Sequence, residues 1–134
     1  MTTTRLSLQY GAPELLVYCF AHLDPRLKAK FDELVSKRTM DKVLWRMVQE
    51  GLFPEWFKDC FDFDQLYGQS AGMRTAMAAA VRDGLMRMDG TRLDYHLIDL
   101  DPNELLHILK GIDIDELSAR RIELELNKRL LVSL

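Results

Sequence analysis

The segment 101–111 reads Asp101-Pro102-Asn103-Glu104-Leu105-Leu106-His107-Ile108-Leu109-Lys110-Gly111, which includes both the start and the end of a helix. Asp101 offers an N-cap acceptor, and Glu104 three residues later completes a capping box. Pro102 presets the helical φ at a position whose N–H has no partner in the helix. The glycine ends the apolar run. Similar proline-led starts occur at Pro13, Pro25 and Pro54.

Seven helices follow from these starts and from apolar residues that recur at i, i+3 and i+4. They are predicted over residues 13–23, 25–37, 39–51, 54–67, 70–83, 102–110 and 113–132. The first three each show one apolar stripe, so each is expected to bury one face. The last is predicted to begin with a second capping box, which pairs Asp113 with Glu116.

One β-hairpin is predicted over residues 85–98. Two apolar-containing runs flank Asp89-Gly90, a dipeptide that tolerates the positive φ values of a two-residue type I′ turn. Two strands alone are marginally stable, so the apolar face of the hairpin must pack on the helices or on a third strand. The fold class is therefore mainly α, a single-domain bundle of about seven helices over residues 1–134 with one β-hairpin.

Composition places the chain in the globular class. Its 134 residues are 48% hydrophobic and 29% charged, with a net charge of −3. No apolar run approaches the roughly 18 residues needed to span a bilayer, and the longest, residues 15–23, is a poor signal-peptide core. We therefore expect a cytoplasmic protein without membrane contact. Cys19 and Cys60 lie on apolar stripes and are expected to be buried free thiols.

No pattern in the chain indicates catalysis. Phosphate-loop, dinucleotide-binding and Gly-x-Ser-x-Gly motifs are absent from the sequence. The three histidines lack metal-ligand spacing, and two of the three Asp-x-Asp pairs supply predicted helix caps. We expect no catalytic residues, no metal and no cofactor, and hence no enzymatic activity.

The last helix carries two apolar stripes. Leu117, Leu124 and Leu131 form one at heptad spacing, and Ala119, Ile122, Leu126 and Leu130 form the other on the far side. Because a surface helix needs only one buried face, the extra stripe predicts self-association. The sequence thus predicts a homodimer that is formed through Leu117, Leu124 and Leu131.

A second predicted surface is acidic and aromatic. Six of the twelve aromatic residues fall between Phe53 and Tyr67, and Trp56 and Phe63 are the candidate partner-binding anchors. Residues 93–116 carry a net charge of −6, and Asp99, Asp113 and Asp115 in this block are expected to attract a basic partner. The predicted function is a non-catalytic interaction module, such as an adaptor, regulator or inhibitor of another protein.

DNA binding is the alternative. Helix 70–83 followed by the hairpin resembles, in topology alone, the recognition helix and wing of a winged helix-turn-helix. Its candidate nucleic-acid contacts are Arg74, Arg82, Arg87 and Arg92. Four arginines are few for phosphate neutralisation, and the segment that follows them is strongly acidic, so protein binding is favoured over DNA binding.

Overall fold

Eight helices and one two-stranded antiparallel hairpin form the described part of the chain, which covers residues 11–89 and 95–134 of a computed structural model. The helices are α1 (Ala12–Ala21), α2 (Pro25–Lys28), α3 (Phe31–Ser36), α4 (Thr39–Gln49), α5 (Glu55–Cys60), α6 (Ala71–Arg82), α7 (Pro102–Lys110) and α8 (Glu116–Val132). The strands are β1 (Met86–Met88) and β2 (Tyr95–Leu97). The prediction of a mainly helical fold with one hairpin is confirmed.

Helix α1 is the central helix of the bundle. It packs against α6, α7 and α8, and its residues from Ala12 to Phe20 are buried except for the half-buried Glu14. The expectation that it buries one face is therefore wrong. Its apolar residues continue around the helix, as in a helix enclosed by neighbours on all sides. Small residues on α6, Ala76 and Ala80, are buried in the same core.

Two predicted helices end or break earlier than the apolar pattern indicates. The helix over 25–37 is interrupted at Ala29 and Lys30 and becomes α2 and α3. The helix over 54–67 ends at Cys60, and Phe61 is extended with φ −114° and ψ 108°. The aspartates that follow accept hydrogen bonds from backbone N–H groups outside the helix. Such local bonds compete with helix continuation.

Of the two predicted capping boxes at the last two helices, one is present in the structure and one is not. The capping box of α7 is confirmed, with the side chain of Asp101 accepting from the N–H of Glu104 at 2.8 Å. The second predicted box is wrong, because α8 begins at Glu116 and its N-cap is Asp115 rather than Asp113. The carbonyl of Asp113 instead accepts a hydrogen bond from Trp56.

The hairpin has a different register from the predicted one. Met86 pairs with Leu97, Arg87 with His96 and Met88 with Tyr95. Residues 89–94 therefore separate the last pair, whereas a two-residue turn at Asp89-Gly90 would have placed Thr91 opposite Met88. Residues 90–94 lie outside the described part of the chain. Strand β2 packs against α3, so the hairpin lies on the helices as expected.

Candidate functional site

The most exposed pair of adjacent apolar side chains in residues 11–89 and 95–134 lies on the segment 62–69, here named the Leu66 loop. Leu66 is 82% exposed and Tyr67 is 57% exposed. The loop links α5 to α6 and folds back on itself through a single bridge between Asp64 and Gln69. Two large apolar side chains therefore point into solvent from one turn.

The carboxylate of Asp64 fixes the turn. Its Oδ1 atom accepts hydrogen bonds from the backbone N–H of Leu66 at 2.9 Å and of Tyr67 at 3.3 Å. The backbone N–H of Asp64 donates to the carbonyl of Gln69, and the N–H of Gly68 donates to the carbonyl of Asp64. This is the Asx-turn pattern, in which a side chain replaces backbone partners. The two exposed residues are thus held by bonds on both sides of the turn.

Helix α4 and Arg38, the residue before it, contact the Leu66 loop. Arg38 donates from its guanidinium to the carbonyl of Tyr67, and it is the one non-glycine residue with positive φ in the described ranges. A left-handed arginine costs about 1 kcal/mol or more, and the surrounding contacts must offset that cost. Gly68 has φ +69°, and a β-carbon there would lie 3.2 Å from Lys42 Cε. Phe63 stacks on Trp45 with ring centroids 4.6 Å apart.

A buried polar cluster joins the loop to the start of α6. Asp41 is fully buried, and its carboxylate accepts from the N–H of Ser70 at 2.8 Å and from the guanidinium of Arg74. Asp62 accepts from the Ser70 hydroxyl and from the N–H of Gly72, while the Ser70 oxygen accepts from Met73 N–H as the N-cap of α6. The loop therefore ends in a hydrogen-bonded anchor inside the protein.

Burial raises the pKa of the Asp41 carboxyl above its usual value. The Ser70 N–H and the positive charges of Arg74 and Arg38 act in the opposite direction but do not cancel this effect. A carboxylate in the interior loses more hydration than these partners return.

Trp56 and Phe63, the predicted anchors, are both half-buried and both have contacts within the fold. The indole N–H of Trp56 donates to the carbonyl of Asp113 at 2.8 Å, and its ring lies over Gly11. Phe63 is stacked on Trp45. The most exposed aromatic side chain of this segment is Tyr67, which the aromatic pattern of the sequence does not distinguish from its neighbours.

Replacing Trp56 with phenylalanine should lower the free energy of unfolding by about 1 kcal/mol. Phenylalanine lacks the far ring atoms of tryptophan that lie over Gly11, so this contact is lost together with the hydrogen bond to the Asp113 carbonyl. Chemical denaturation checks the value. An unchanged midpoint would mean that water replaces the indole N–H without cost, and the tryptophan would again be available as an anchor.

The predicted acidic residues lie at two separate places. Asp113 and Asp115 line a cleft of about 430 Å³ beside the start of α8, together with Arg121. Asp99 lines another cleft, of about 340 Å³, between α2, α3 and the hairpin. All three aspartates are exposed, but they do not form one acidic surface.

The predicted DNA-contacting arginines are also dispersed. Arg74 is bound to the buried Asp41, and Arg82 lies 3.6 Å from the neighbouring Asp83. Arg87 is exposed and lines the cleft that contains Asp99. Arg92 lies outside the described residues. Because Arg74 pairs with a buried carboxylate, helix α6 has one arginine fewer that could contact a nucleic acid than expected.

The cleft beside the hairpin contains a histidine–aspartate pair. His96 Nδ1 lies 3.4 Å from Asp32 Oδ1, and Arg87 stands opposite His96 in the strand register. The Asp32 contact comes from α3, which the topology brings against β2. The pair orients an imidazole beside a cation.

Two of the three leucines predicted for self-association are exposed, and the third packs against the core. Leu117 is 70% exposed and Leu124 is 55% exposed, while Leu131 is half-buried against the core. The opposite stripe of α8 is fully buried: Ala119, Ile122, Leu126 and Leu130. Self-association through the exposed leucines stays a prediction.

Sequence reasoning missed the Leu66 loop because the apolar pattern extends through it. The available signal was Asp64 followed by Gly68, a pair typical of a turn with one left-handed residue. Within the described ranges, no three histidine, cysteine, aspartate or glutamate side chains are grouped so as to hold a metal. No helix there has the length and apolar character that a membrane span requires.

Comparison with known proteins gives no further information on these surfaces. No protein-family model matches the chain, and no curated protein or solved structure is detectably similar to it.

Proposed function

We propose that this protein is a non-catalytic interaction module that binds another protein through the Leu66 loop. The observation that carries the proposal is the exposure of Leu66 and Tyr67 on a turn whose backbone is fixed by hydrogen bonds. Exposed apolar side chains alone are common on protein surfaces. A turn that holds two of them outward and is anchored on a buried carboxylate is a specific arrangement.

Preorganisation supports this function energetically. A flexible loop loses conformational entropy when it binds, and a loop already held in one conformation loses less. Here Asp64 and Arg38 bind the backbone of the turn, and Ser70 joins it to the buried Asp41. Much of the ordering therefore takes place when the protein folds.

The chemistry of the loop indicates an apolar centre with a mixed polar rim. Leu66 and Tyr67 supply the centre, and tyrosine is among the residues enriched at the strongest positions of interfaces. Asp62 and Asp64 are exposed in the same loop, and the exposed Lys42 lies next to Gly68. A partner with an apolar pocket and polar groups around it would match this surface.

The test uses peptides selected from a random-sequence phage library on the immobilised protein. We expect recovered peptides to bind the wild type and to bind a Leu66→Ser, Tyr67→Ser double variant about thirtyfold more weakly or worse. Fluorescence anisotropy with labelled peptides measures the ratio. Because both side chains are exposed, the free energy of unfolding of the variant should lie within about 0.5 kcal/mol of the wild-type value.

A matched control removes the same kind of surface elsewhere. The Leu117→Ser, Leu124→Ser double variant also loses two exposed apolar side chains and should keep full affinity for these peptides. If both double variants weaken the peptides equally, or if no peptide is enriched above background, the Leu66 loop is not the binding surface.

A further inference from the structure

We infer that the exposed side of α8 is a second docking surface, whose occupant is an acidic amphipathic helix of a different protein. The surface, here named the α8 stripe, consists of Leu117, Arg120, Arg121, Leu124 and Lys128, with the half-buried Leu131 at its end. Positions 117, 121, 124 and 128 are spaced by four, three and four residues and so lie along one side of the helix. Apolar and basic side chains alternate along it.

The stripe differs sharply from the other side of the same helix. Ala119, Ile122 and Leu126 are at most 1% exposed, so the core already uses one complete face of α8. Leu117 and Leu124 lie across the helix from that face, about 10 Å apart along the axis. The packing of the described residues does not require them to be apolar.

Among the residues that the structure describes, no carboxylate forms an ion pair with the positive charges of the stripe. Four basic residues occur in α8, and one of them, Arg129, is bound by both Glu50 and Glu125, the latter at 2.7 Å. Arg120, Arg121 and Lys128 have no carboxylate of the described residues within ion-pair distance. The described residues thus neutralise the cation outside the stripe and form no ion pair with the three within it, although Arg121 lines the same cleft as Asp113 and Asp115.

These charges disfavour a second copy of the same chain as the occupant. An antiparallel pairing of two α8 helices centred on Leu124 would place Arg120 and Arg121 of one copy near Lys128 of the other. Like charges across a helix pair oppose association, whereas opposite charges favour it and select the partner. The homodimer predicted from the sequence is therefore one outcome of the test.

The distribution of the cations also disfavours a lipid surface. Helices that lie on membranes separate a broad apolar face from a basic face. Along the α8 stripe, Arg121 and Lys128 alternate with the leucines, so an apolar side inserted into lipid would carry charge with it. A helix with leucine or isoleucine at matching spacing and glutamate beside them satisfies both kinds of side chain.

The probe is a synthetic helical peptide of about 18 residues, long enough to cover α8. It has leucine at i, i+3, i+7 and i+10 and glutamate at the flanking positions; a matched peptide has lysine in place of every glutamate. We expect the glutamate peptide to bind at least about tenfold more tightly than the lysine peptide, by fluorescence anisotropy. Its affinity should fall as the salt concentration rises from about 50 mM to 500 mM.

Variants of the protein locate the binding. Arg121→Glu with Lys128→Glu should weaken the glutamate peptide at least about tenfold, and Leu124→Ser should weaken it as well. Arg82→Glu with Arg87→Glu, which reverses two exposed charges on other elements of the fold, should leave the affinity unchanged. The Leu66→Ser, Tyr67→Ser variant should also bind normally, because this surface is independent of the Leu66 loop.

Five results would overturn the inference. The two peptides bind equally well, or neither binds, or charge reversal on α8 has no effect. Light scattering finds a dimer that Leu124→Glu converts to a folded monomer, in which case a second copy occupies the stripe. Phosphatidylserine-containing vesicles bind the protein through Leu117 and Leu124 more tightly than the glutamate peptide does, in which case the occupant is a membrane.

Discussion

Replacing Asp41 with alanine is expected to lower the free energy of unfolding by about 2 to 3 kcal/mol. The N–H of Ser70 is buried and loses its acceptor, and Arg74 loses the carboxylate that holds its guanidinium. Arg74 is 31% exposed and can regain hydration, so the loss lies below that of a fully enclosed ion pair. Urea denaturation at neutral pH measures it.

The same substitution should loosen the Leu66 loop before the protein unfolds. Ser70 connects Asp41 to Asp62, and removing the first acceptor frees one end of the loop. We expect faster hydrogen exchange at the amides of residues 64–70 in the folded variant, with little change at the amides of α1. Uniform acceleration over the whole chain would mean that Asp41 stabilises the fold without ordering the loop.

The pH dependence of this loss has a defined sign. Burial raises the pKa of Asp41 in the folded state above that in the unfolded chain, so the folded protein binds this proton more tightly. The stability that comes from this group is complete below the unfolded pKa and is lost as the pH rises through the folded pKa. The deficit of the alanine variant should therefore be larger near pH 4 than near pH 7.

Two controls isolate the buried carboxylate. Asp41→Asn keeps the shape and one acceptor oxygen, so it should cost less than the alanine variant and should have no acid titration at this site. Asp83→Ala removes an exposed aspartate beside α6 and should change the free energy of unfolding by no more than about 0.5 kcal/mol. Equal losses for Asp41→Ala and Asp83→Ala would contradict the role of the cluster.

The helix starts at Pro25 and Pro102 could be predicted because their signals are local. Asp24 and Asp101 cap the helices that begin at Pro25 and Pro102, and each bond joins residues two or three positions apart. The two faces of α8 could also be predicted, because the spacing of its leucines determines which side chains lie on the same side of the helix. Such contacts depend on one short segment and need no knowledge of the rest of the chain.

The loop and its anchor could not be predicted, because they depend on residues far apart in the sequence. Asp41 meets Ser70 and Arg74 across about thirty positions, and Asp32 meets His96 across more than sixty. Nothing within the segment 39–51 indicates that Asp41 is buried while Lys42 beside it is exposed. The aromatic pattern of 53–67 was compatible with one longer helix, and the competing hydrogen bonds of Asp62 and Asp64 decided the outcome.

Replacing Gly72 with alanine is expected to lower the free energy of unfolding by about 3 kcal/mol. A β-carbon at this position would overlap the carbonyl oxygen of Cys60, and it would lie 3.1 Å from Asp62 Oδ1. The nearest atom belongs to the backbone, so a change of side-chain rotamer cannot relieve the overlap. Either the start of α6 or residues 60–62 must move, and movement breaks the 2.7 Å hydrogen bond from Gly72 N–H to Asp62.

Helix propensity alone predicts the opposite sign, and this makes the substitution a sharp test of the close approach between α6 and residues 60–62. Alanine within a helix is favoured over glycine by about 1 kcal/mol. Gly51→Ala is the matched control, because its φ of +79° is unfavourable for alanine but nothing lies within 4 Å of the added carbon. This control should lower the free energy of unfolding by about 1 to 2 kcal/mol, which is the cost of the left-handed backbone conformation for alanine. If Gly72→Ala instead stabilises the protein, residues 60–62 do not lie against the start of α6, and the anchor of the Leu66 loop is not built as described.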